Sequence, residues 1–180
     1  MAKNKYNRDY RLIEEFSEKG RVRTDYEYIG NPWFFLTDSN IVEEEKRKAL
    51  RCVLFAGAAF IAALIPYSGM MHRLWIALPF AFSALPLFML GDLVFTLQRY
   101  KEPMEHRHAD KLNNSYPARA LAVLYLSGIA LIGEAVYLVL NGVQVPGDAA
   151  VAFCTAVIVF FSSRLFRKRT VFRAVEKPGS

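Results

Sequence analysis

The sequence predicts an all-α integral membrane protein with four transmembrane helices and both termini in the cytoplasm. Two observations lead to this fold class: four long apolar runs separate blocks of charge, and nearly all Lys and Arg residues lie on one side of those runs. The 180-residue chain is 53% hydrophobic and 22% charged, with a formal net charge of +6. A chain this rich in apolar residues is neither disordered nor collagen-like.

The four apolar runs have the length that a transmembrane helix needs. About 20 helical residues cross the ~30 Å hydrocarbon core, and backbone amides in lipid must be hydrogen-bonded internally. The first helix is predicted from Ile41 to Ile65, because Asn40 and Glu43 resemble a capping box. Within a transmembrane domain at 41–168, we expect four spans, at about 45–65, 74–97, 120–140 and 149–166.

The positions of the basic residues predict the orientation of these spans. Of the 23 Lys and Arg residues, all but Arg73 lie in three segments: residues 1–51, loop 98–119, and the end of span four with the tail after it, from residue 164 onwards. The positive-inside rule then places both termini and this loop in the cytoplasm of a bacterial cell, with the spans in the inner (plasma) membrane. We expect contact with lipid and not with nucleic acid, since aromatic residues do not alternate with the basic ones.

Residues 1–40 are predicted to form a cytoplasmic appendage, and residues 169–180 a basic tail. Leu12, Ile13 and Phe16 follow Asn7 at helical spacing, which predicts a short amphipathic helix. Strict alternation over 21–28 predicts a strand, and 33–36 would complete a β-hairpin with it. A region this small is expected to rest on loop 98–119, on the membrane or on another subunit. Its aromatic residues would either dock a partner or anchor at the membrane interface: Tyr26, Tyr28, Trp33, Phe34 and Phe35.

Glu134 is predicted to lie within span three, where an unpaired carboxylate costs at least a few kcal/mol. At spacings of three and four residues, small or polar side chains share its helix face: Ser127, Ala130, Tyr137 and Asn141. This stripe should face the bundle or a partner. Glu134 is interpreted either as a proton or cation site of a transporter, or as a hydrogen-bonded residue that ties helices together.

Span two contains three further polar or helix-bending residues. Asp92 lies near its cytoplasmic end, where pairing with Arg99 or Arg164 is expected. Pro79 and Pro86 each remove one helical hydrogen bond, so they predict a kink, a hinge or exposed carbonyl groups along an ion path.

Metal and cofactor chemistry has little support in the sequence. His106 and His108 are the weak candidates for metal ligands, but their spacing of two does not place them on one helix face. Cys52 and Cys154 are expected at different depths, too far apart for a disulfide. No cofactor and no catalytic residue are predicted.

Three functions remain open on the sequence. The first is an accessory, regulatory or immunity-type subunit that acts through contacts with a membrane-protein partner. The second is a small transporter or channel that uses Glu134 as a homo-oligomer. The third, a membrane enzyme with the histidine-containing loop, has the least support because no catalytic motif accompanies it.

Overall fold

Four long helices form where the sequence has its apolar runs. The computed structural model describes residues 9–16 and 22–176, apart from the side chains of residues 10, 12–16 and 22–27. The helices α1 (Ser39–Ala63) and α2 (Leu74–Leu97) come first. A short helix α3 (His106–Asp110) and a π-helical turn (Lys111–Ser115) then lead into α4 (Tyr116–Asn141), which is followed by α5 (Pro146–Arg167).

Three of the helical segments are long and apolar enough to cross a membrane. They are Leu74–Leu97, the continuous segment His106–Asn141, and Pro146–Thr170. Helix α1 is not among them, because its first half carries the charged run from Glu43 to Arg51.

The helices pack in the order α1, α2, α4, α5 around the bundle, and each packs against two neighbours. Aromatic rings stack across two of these helix–helix interfaces. The rings of Phe60 on α1 and Phe80 on α2 have centroids 4.7 Å apart, and those of Phe55 on α1 and Phe161 on α5 have centroids 5.3 Å apart. The α4–α5 seam is tied at its end by the Tyr116 hydroxyl, which donates to the carbonyl of Leu165 at 2.8 Å.

The bundle buries several small polar side chains among its apolar core, and it exposes many large apolar side chains on its outer surface. Buried side chains include Ser83, Ser127, Thr155 and Ser162, all at 0% exposure. The outward faces carry Phe88, Val139 and Phe153, each more than 70% exposed. Water would make such a surface prone to association, whereas lipid would solvate it, so the exposed apolar side chains are compatible with a membrane location.

Charged residues mark one end of this apolar surface. We call Arg51, Asp92, Arg119 and Arg164 the polar ring, because one comes from each helix and all are at least partly exposed. The guanidinium of Arg119 on α4 donates to the Met89 carbonyl of α2 at 2.7 Å, which sets these two helices at matching depth. At 1.5 Å per residue, α2 is about 28 Å long between Arg73 and Asp92, close to the thickness of a hydrocarbon core.

The N-terminal helix predicted from Leu12, Ile13 and Phe16 is wrong. These residues lie in strand β1 (Tyr10–Phe16), which pairs antiparallel with β2 (Val22–Tyr28) from Tyr10↔Tyr28 to Phe16↔Val22. Helical spacing in so short a segment is a weak signal, and a neighbouring strand with strict alternation offers a full ladder of hydrogen bonds. Asn7, the predicted cap, lies outside the described residues.

The predicted hairpin between 21–28 and 33–36 is also wrong in its pairing. Strand β3 (Trp33–Phe35) instead pairs antiparallel with β4 (Ala174–Glu176), from the segment predicted to be a basic tail. Phe172, just before β4, is fully buried and meets the ring of Tyr116 edge-on at 5.4 Å. An apolar anchor therefore draws the end of the chain onto the bundle.

Helix α1 begins two residues earlier than predicted, and the predicted capping box is not formed. Asp38 is the N-cap, and its carboxylate accepts from the backbone N–H of Asn40 at 2.8 Å. Glu43, predicted to complete the box, pairs instead with Lys46 at 2.5 Å. The helix ends at Ala63, ahead of Ile65.

The opposite end of the bundle is closed by the first turn of α5. Gly147 lies so close to the preceding loop that a Cβ atom on it would stand 1.8 Å from the carbonyl oxygen of Tyr67. Only glycine allows the α5 backbone to approach this loop so closely.

We expect Gly147→Ala to lower the free energy of unfolding by about 1–3 kcal/mol, because either α5 or the loop must move to relieve the overlap. Gly128→Ala is the matched control, since a Cβ at Gly128 of α4 meets no atom within 4 Å. Thermal unfolding of both variants in the same detergent measures the difference. Equal stability of the two variants would contradict this close approach.

Candidate functional site

The Glu134 carboxyl group lies in the centre of the bundle, between α4 and α5. Its side chain is fully buried, and its Oε1 accepts a hydrogen bond of 2.8 Å from the Thr155 hydroxyl of α5. Its Oε2 is buried as well and has no hydrogen-bond partner within the described part of the chain. One carboxyl oxygen of Glu134 is therefore hydrogen-bonded, and the other is buried and has an unused capacity to accept a hydrogen bond from a group outside the described residues.

The stripe predicted around Glu134 lies largely inside the bundle. Ser127, Ala130 and Tyr137 are buried, whereas Asn141 at the end of α4 is exposed. The Ser127 hydroxyl donates to the Val123 carbonyl of its own helix at 2.6 Å and therefore does not extend a polar chain from Glu134. Asn141 similarly donates to the Tyr137 carbonyl at 3.0 Å.

The sequence of α4 and α5 explains this placement. Gly133, next to Glu134, lets α4 approach Trp75 and Ile76 of α2, whose side-chain atoms lie 3.1–3.3 Å from where its Cβ would be. On α5, Thr155 and Ser162 are two helical turns apart on the buried face, and the Ser162 hydroxyl is another buried group without a partner among the described residues. Chemically, the open Glu134 oxygen can hold a proton or accept from a donor that enters the bundle.

Asp92 does not form the predicted ion pair with Arg99 or Arg164. Within residues 9–16 and 22–176, no ion pair includes it, and its side chain is exposed. It lines one end of an apolar groove of about 820 Å³ between α1 and α2, with Gly57 and Gly91 among the lining residues. The rotation of α2 turns Asp92 outward, which no residue spacing within α2 alone could predict.

The two prolines of α2 leave the helix continuous. Pro79 and Pro86 both lie inside the unbroken segment Leu74–Leu97. Between them the Ser83 hydroxyl donates to the Phe80 carbonyl at 2.6 Å. A hinge or an ion path at these prolines stays a prediction.

The β1–β2 hairpin is attached to the bundle through His106 at the start of α3. The His106 Nδ1 lies 2.8 Å from a carboxylate oxygen of Asp9, and its backbone N–H donates to the Tyr28 hydroxyl at 3.0 Å. The ring of Trp33 stacks on the His106 imidazole with centroids 5.3 Å apart. Burial has the largest effect on the pKa of the Tyr28 hydroxyl and raises it, so this group stays a neutral donor and acceptor near pH 7.

The aromatic residues predicted to dock a partner therefore differ in their availability. Phe35 is buried and faces the Lys46 ammonium at 5.4 Å, so it belongs to the core. Its backbone N–H donates to the Glu102 carboxylate at 2.7 Å. Trp33 and Phe34 are partly buried, and the side chain of Tyr26 lies outside the described residues. The appendage therefore rests on loop 98–119, which was predicted as one alternative beside the membrane and another subunit.

The two histidines of loop 98–119 contact different residues and do not face a common site. His106 meets Asp9 and Trp33, whereas His108 packs against the Tyr100 ring with centroids 4.4 Å apart. In the described segments, no three His, Cys, Asp or Glu side chains gather as metal ligands. Cys52 and Cys154 are both free thiols.

Asp148 is a buried polar centre that the sequence analysis missed. It lies in the first turn of α5 at 0% exposure. One carboxylate oxygen accepts from the loop before α2 and the other from the loop before α5, at 2.8–3.4 Å; the donors are Ser68 Oγ and the backbone N–H groups of Gly69, Met70, Gln144 and Val145. A single carboxylate thus joins both loops at this end of the bundle.

A sequence signal for Asp148 was present. Pro146 is the first residue of α5 and Asp148 is in its first turn, which is the usual pattern of a helix start. The pattern identifies a helix N-terminus, but it does not reveal that a second loop, 66–73, donates to the same carboxylate.

Comparison of the chain with protein families, with curated proteins and with solved structures found no match.

Proposed function

We propose that the protein is an accessory, regulatory or immunity-type subunit of a larger complex in a bacterial inner membrane, and that it acts through protein–protein contacts. In this proposal all four long helices cross the bilayer and both termini are cytoplasmic. The partner is a protein at the cytoplasmic face, contacted by the β1–β2 hairpin.

The packing of α1 supports its assignment as the fourth span. It lies against α2 and α5, with Cys52, Ala56 and Ala63 buried on the inner face and Leu54, Ile61 and Leu64 exposed on the outer face. From Arg51 in the polar ring to its end at Ala63, α1 rises about 18 Å, so in this proposal residues 64–69 complete its crossing of the bilayer. The distribution of Lys and Arg supports the orientation, since only Arg73 is assigned to the outer side.

The observation that carries the proposed partner contact is the hairpin itself. It has two strands, and within the described residues neither outer edge of its sheet is paired with a third strand. Two-stranded sheets are marginally stable in water, and an extended segment of a partner can pair with an open edge through main-chain hydrogen bonds. The Asp9–His106 contact holds the base of the hairpin to α3. The Ile29 N–H donates to the Asp9 carbonyl and joins the two strands at that base.

A proton-coupled transporter or channel is the second candidate, and the open Oε2 of Glu134 favours it. A buried carboxyl group with one unused oxygen is suited to bind and release a proton or a cation. A homo-oligomer would then supply the remaining wall of the path.

We expect Leu12→Pro to weaken capture of the partner by about tenfold or more. The Ile29 N–H donates to the Asp9 carbonyl, and hydrogen-bonded pairs alternate along β1 and β2 from there, so the backbone N–H of Leu12 faces the outer edge of β1 and not β2. Proline removes this outward donor and leaves the hydrogen bonds between β1 and β2 in place. Leu12→Thr is the control because it keeps the N–H on a residue that favours strands. Both variants are purified from host membranes, and the bound partner is quantified by native mass spectrometry; equal retention by Pro and Thr contradicts strand pairing.

For the second candidate, Glu134→Gln should reduce proton-coupled flux in liposomes to background. Glutamine still offers an oxygen to Thr155 but cannot release a proton. Asp92→Asn serves as the control, since it removes a carboxylate that lies outside the buried core. Undiminished flux in Glu134→Gln would exclude Glu134 from transport.

A further inference from the structure

A cleft of about 860 Å³ opens where the start of α4 meets β4. Two guanidinium groups line it, those of Arg169 and Arg173, and both side chains are exposed. Trp33 of β3 and Pro117 of α4 form apolar parts of the same wall. Three separate parts of the chain therefore meet around two positive charges.

Both arginines are available to a ligand. Neither forms an ion pair within the described residues, and the Arg169 guanidinium lies 4.2 Å from the centre of the Phe166 ring, which restrains it. Glu176 also lines the cleft, but its carboxylate accepts from the side-chain amide of Asn31 at 2.6 Å.

The wall of the cleft is held in place by Asn113. Its side-chain oxygen accepts from the Ala174 N–H, and its side-chain amide donates to the Ala174 carbonyl, both at 2.9 Å. This pair of bonds ties β4 to the turn before α4. The spacing between the two arginines and the α4 wall is therefore set before any ligand binds, which lowers the entropic cost of binding.

The cleft lies just beyond the polar ring. Arg169 follows Arg164 and Asn113 precedes Arg119 by five or six residues, which at 1.5 Å per residue is about 8–9 Å. The headgroup layer on each side of a bilayer is roughly 5–8 Å thick. If the polar ring marks the edge of the hydrocarbon, as the proposed membrane placement implies, the cleft opens at the outer boundary of the headgroup layer, from which the long arginine side chains can reach lipid phosphates.

We infer that this cleft binds the phosphate of an anionic phospholipid headgroup, with Arg169 and Arg173 as its donors. Guanidinium groups bind phosphate oxygens through paired, charge-assisted hydrogen bonds. The depth of the cleft and the tryptophan in its wall favour a lipid over a free phosphate ion, because tryptophan is enriched at the membrane interface. The site is separate from the hairpin edges proposed for the protein partner.

Native mass spectrometry of the detergent-solubilised full chain, titrated with phosphatidylglycerol, tests this inference. We expect the double variant R169Q/R173Q to bind this lipid about thirtyfold more weakly than the wild type, since each arginine near a lipid surface contributes about fivefold. We expect E176Q to bind it more tightly, because it removes a negative charge from the cleft and keeps an acceptor for Asn31.

The matched control is R99Q/R107Q, which removes the same net charge from two exposed arginines that lie outside both the cleft lining and the polar ring. It should lose no more than about threefold in affinity, and phosphatidylcholine with the same acyl chains should bind the wild type weakly. An equal loss in both double variants, or equal binding of the two lipids, would overturn the inference. Displacement of the lipid by inorganic phosphate at submillimolar concentration would overturn the choice of a lipid over free phosphate. Unchanged thermal unfolding of R169Q/R173Q would show that its loss of binding does not come from misfolding.

Discussion

One constraint governs the structure: the outward faces of the long helices carry large apolar side chains that water solvates poorly, and along α2 this apolar surface extends for about 28 Å. In lipid, the hydrophobic effect does not drive helices together, so close packing and buried hydrogen bonds must do so. The interior contains what this requires. Gly91 and Gly133 allow close approach between helices, and Thr155 donates to Glu134 across the α4–α5 seam. The close glycine contacts and the buried hydrogen bond between helices, together with the apolar outer surface, are what helices that pack in lipid require.

The ends of the bundle use different means to hold the helices together. At one end a single carboxylate, Asp148, accepts five hydrogen bonds from two loops. At the other end the chain builds a layer from three distant segments, in which β3 pairs with β4 and His106 holds the hairpin. Lys168 at the end of α5 also forms an ion pair with Glu45 of α1. This layer exists only because both ends of the chain and loop 98–119 emerge on the same side of the bundle.

The sequence predicted the features that depend on local pattern. The bounds of α2, 74–97, follow from the length of its apolar run, and the burial of Ser127, Ala130 and Tyr137 follows from helical spacing. Features that depend on distant partners were missed. The pairing of β3 with β4 joins residues about 140 positions apart, and β1 became a strand because β2 lies beside it. The outward rotation of Asp92 is set by the neighbours of α2, so its predicted ion pair failed.

In the proposed topology, four helices cross the membrane and both termini lie on one side. Labelling of single cysteines with a membrane-impermeant thiol reagent in intact cells, in a background that lacks Cys52 and Cys154, tests this topology. Val143 lies between α4 and α5, and Lys101 lies between α2 and α3; both are exposed. We expect Val143→Cys to be labelled from outside, and Lys101→Cys and Asp38→Cys to be labelled only after the membrane is opened. Labelling of Asp38→Cys in intact cells, with Lys101→Cys still protected, would show that α1 does not cross and that the four-helix topology is wrong.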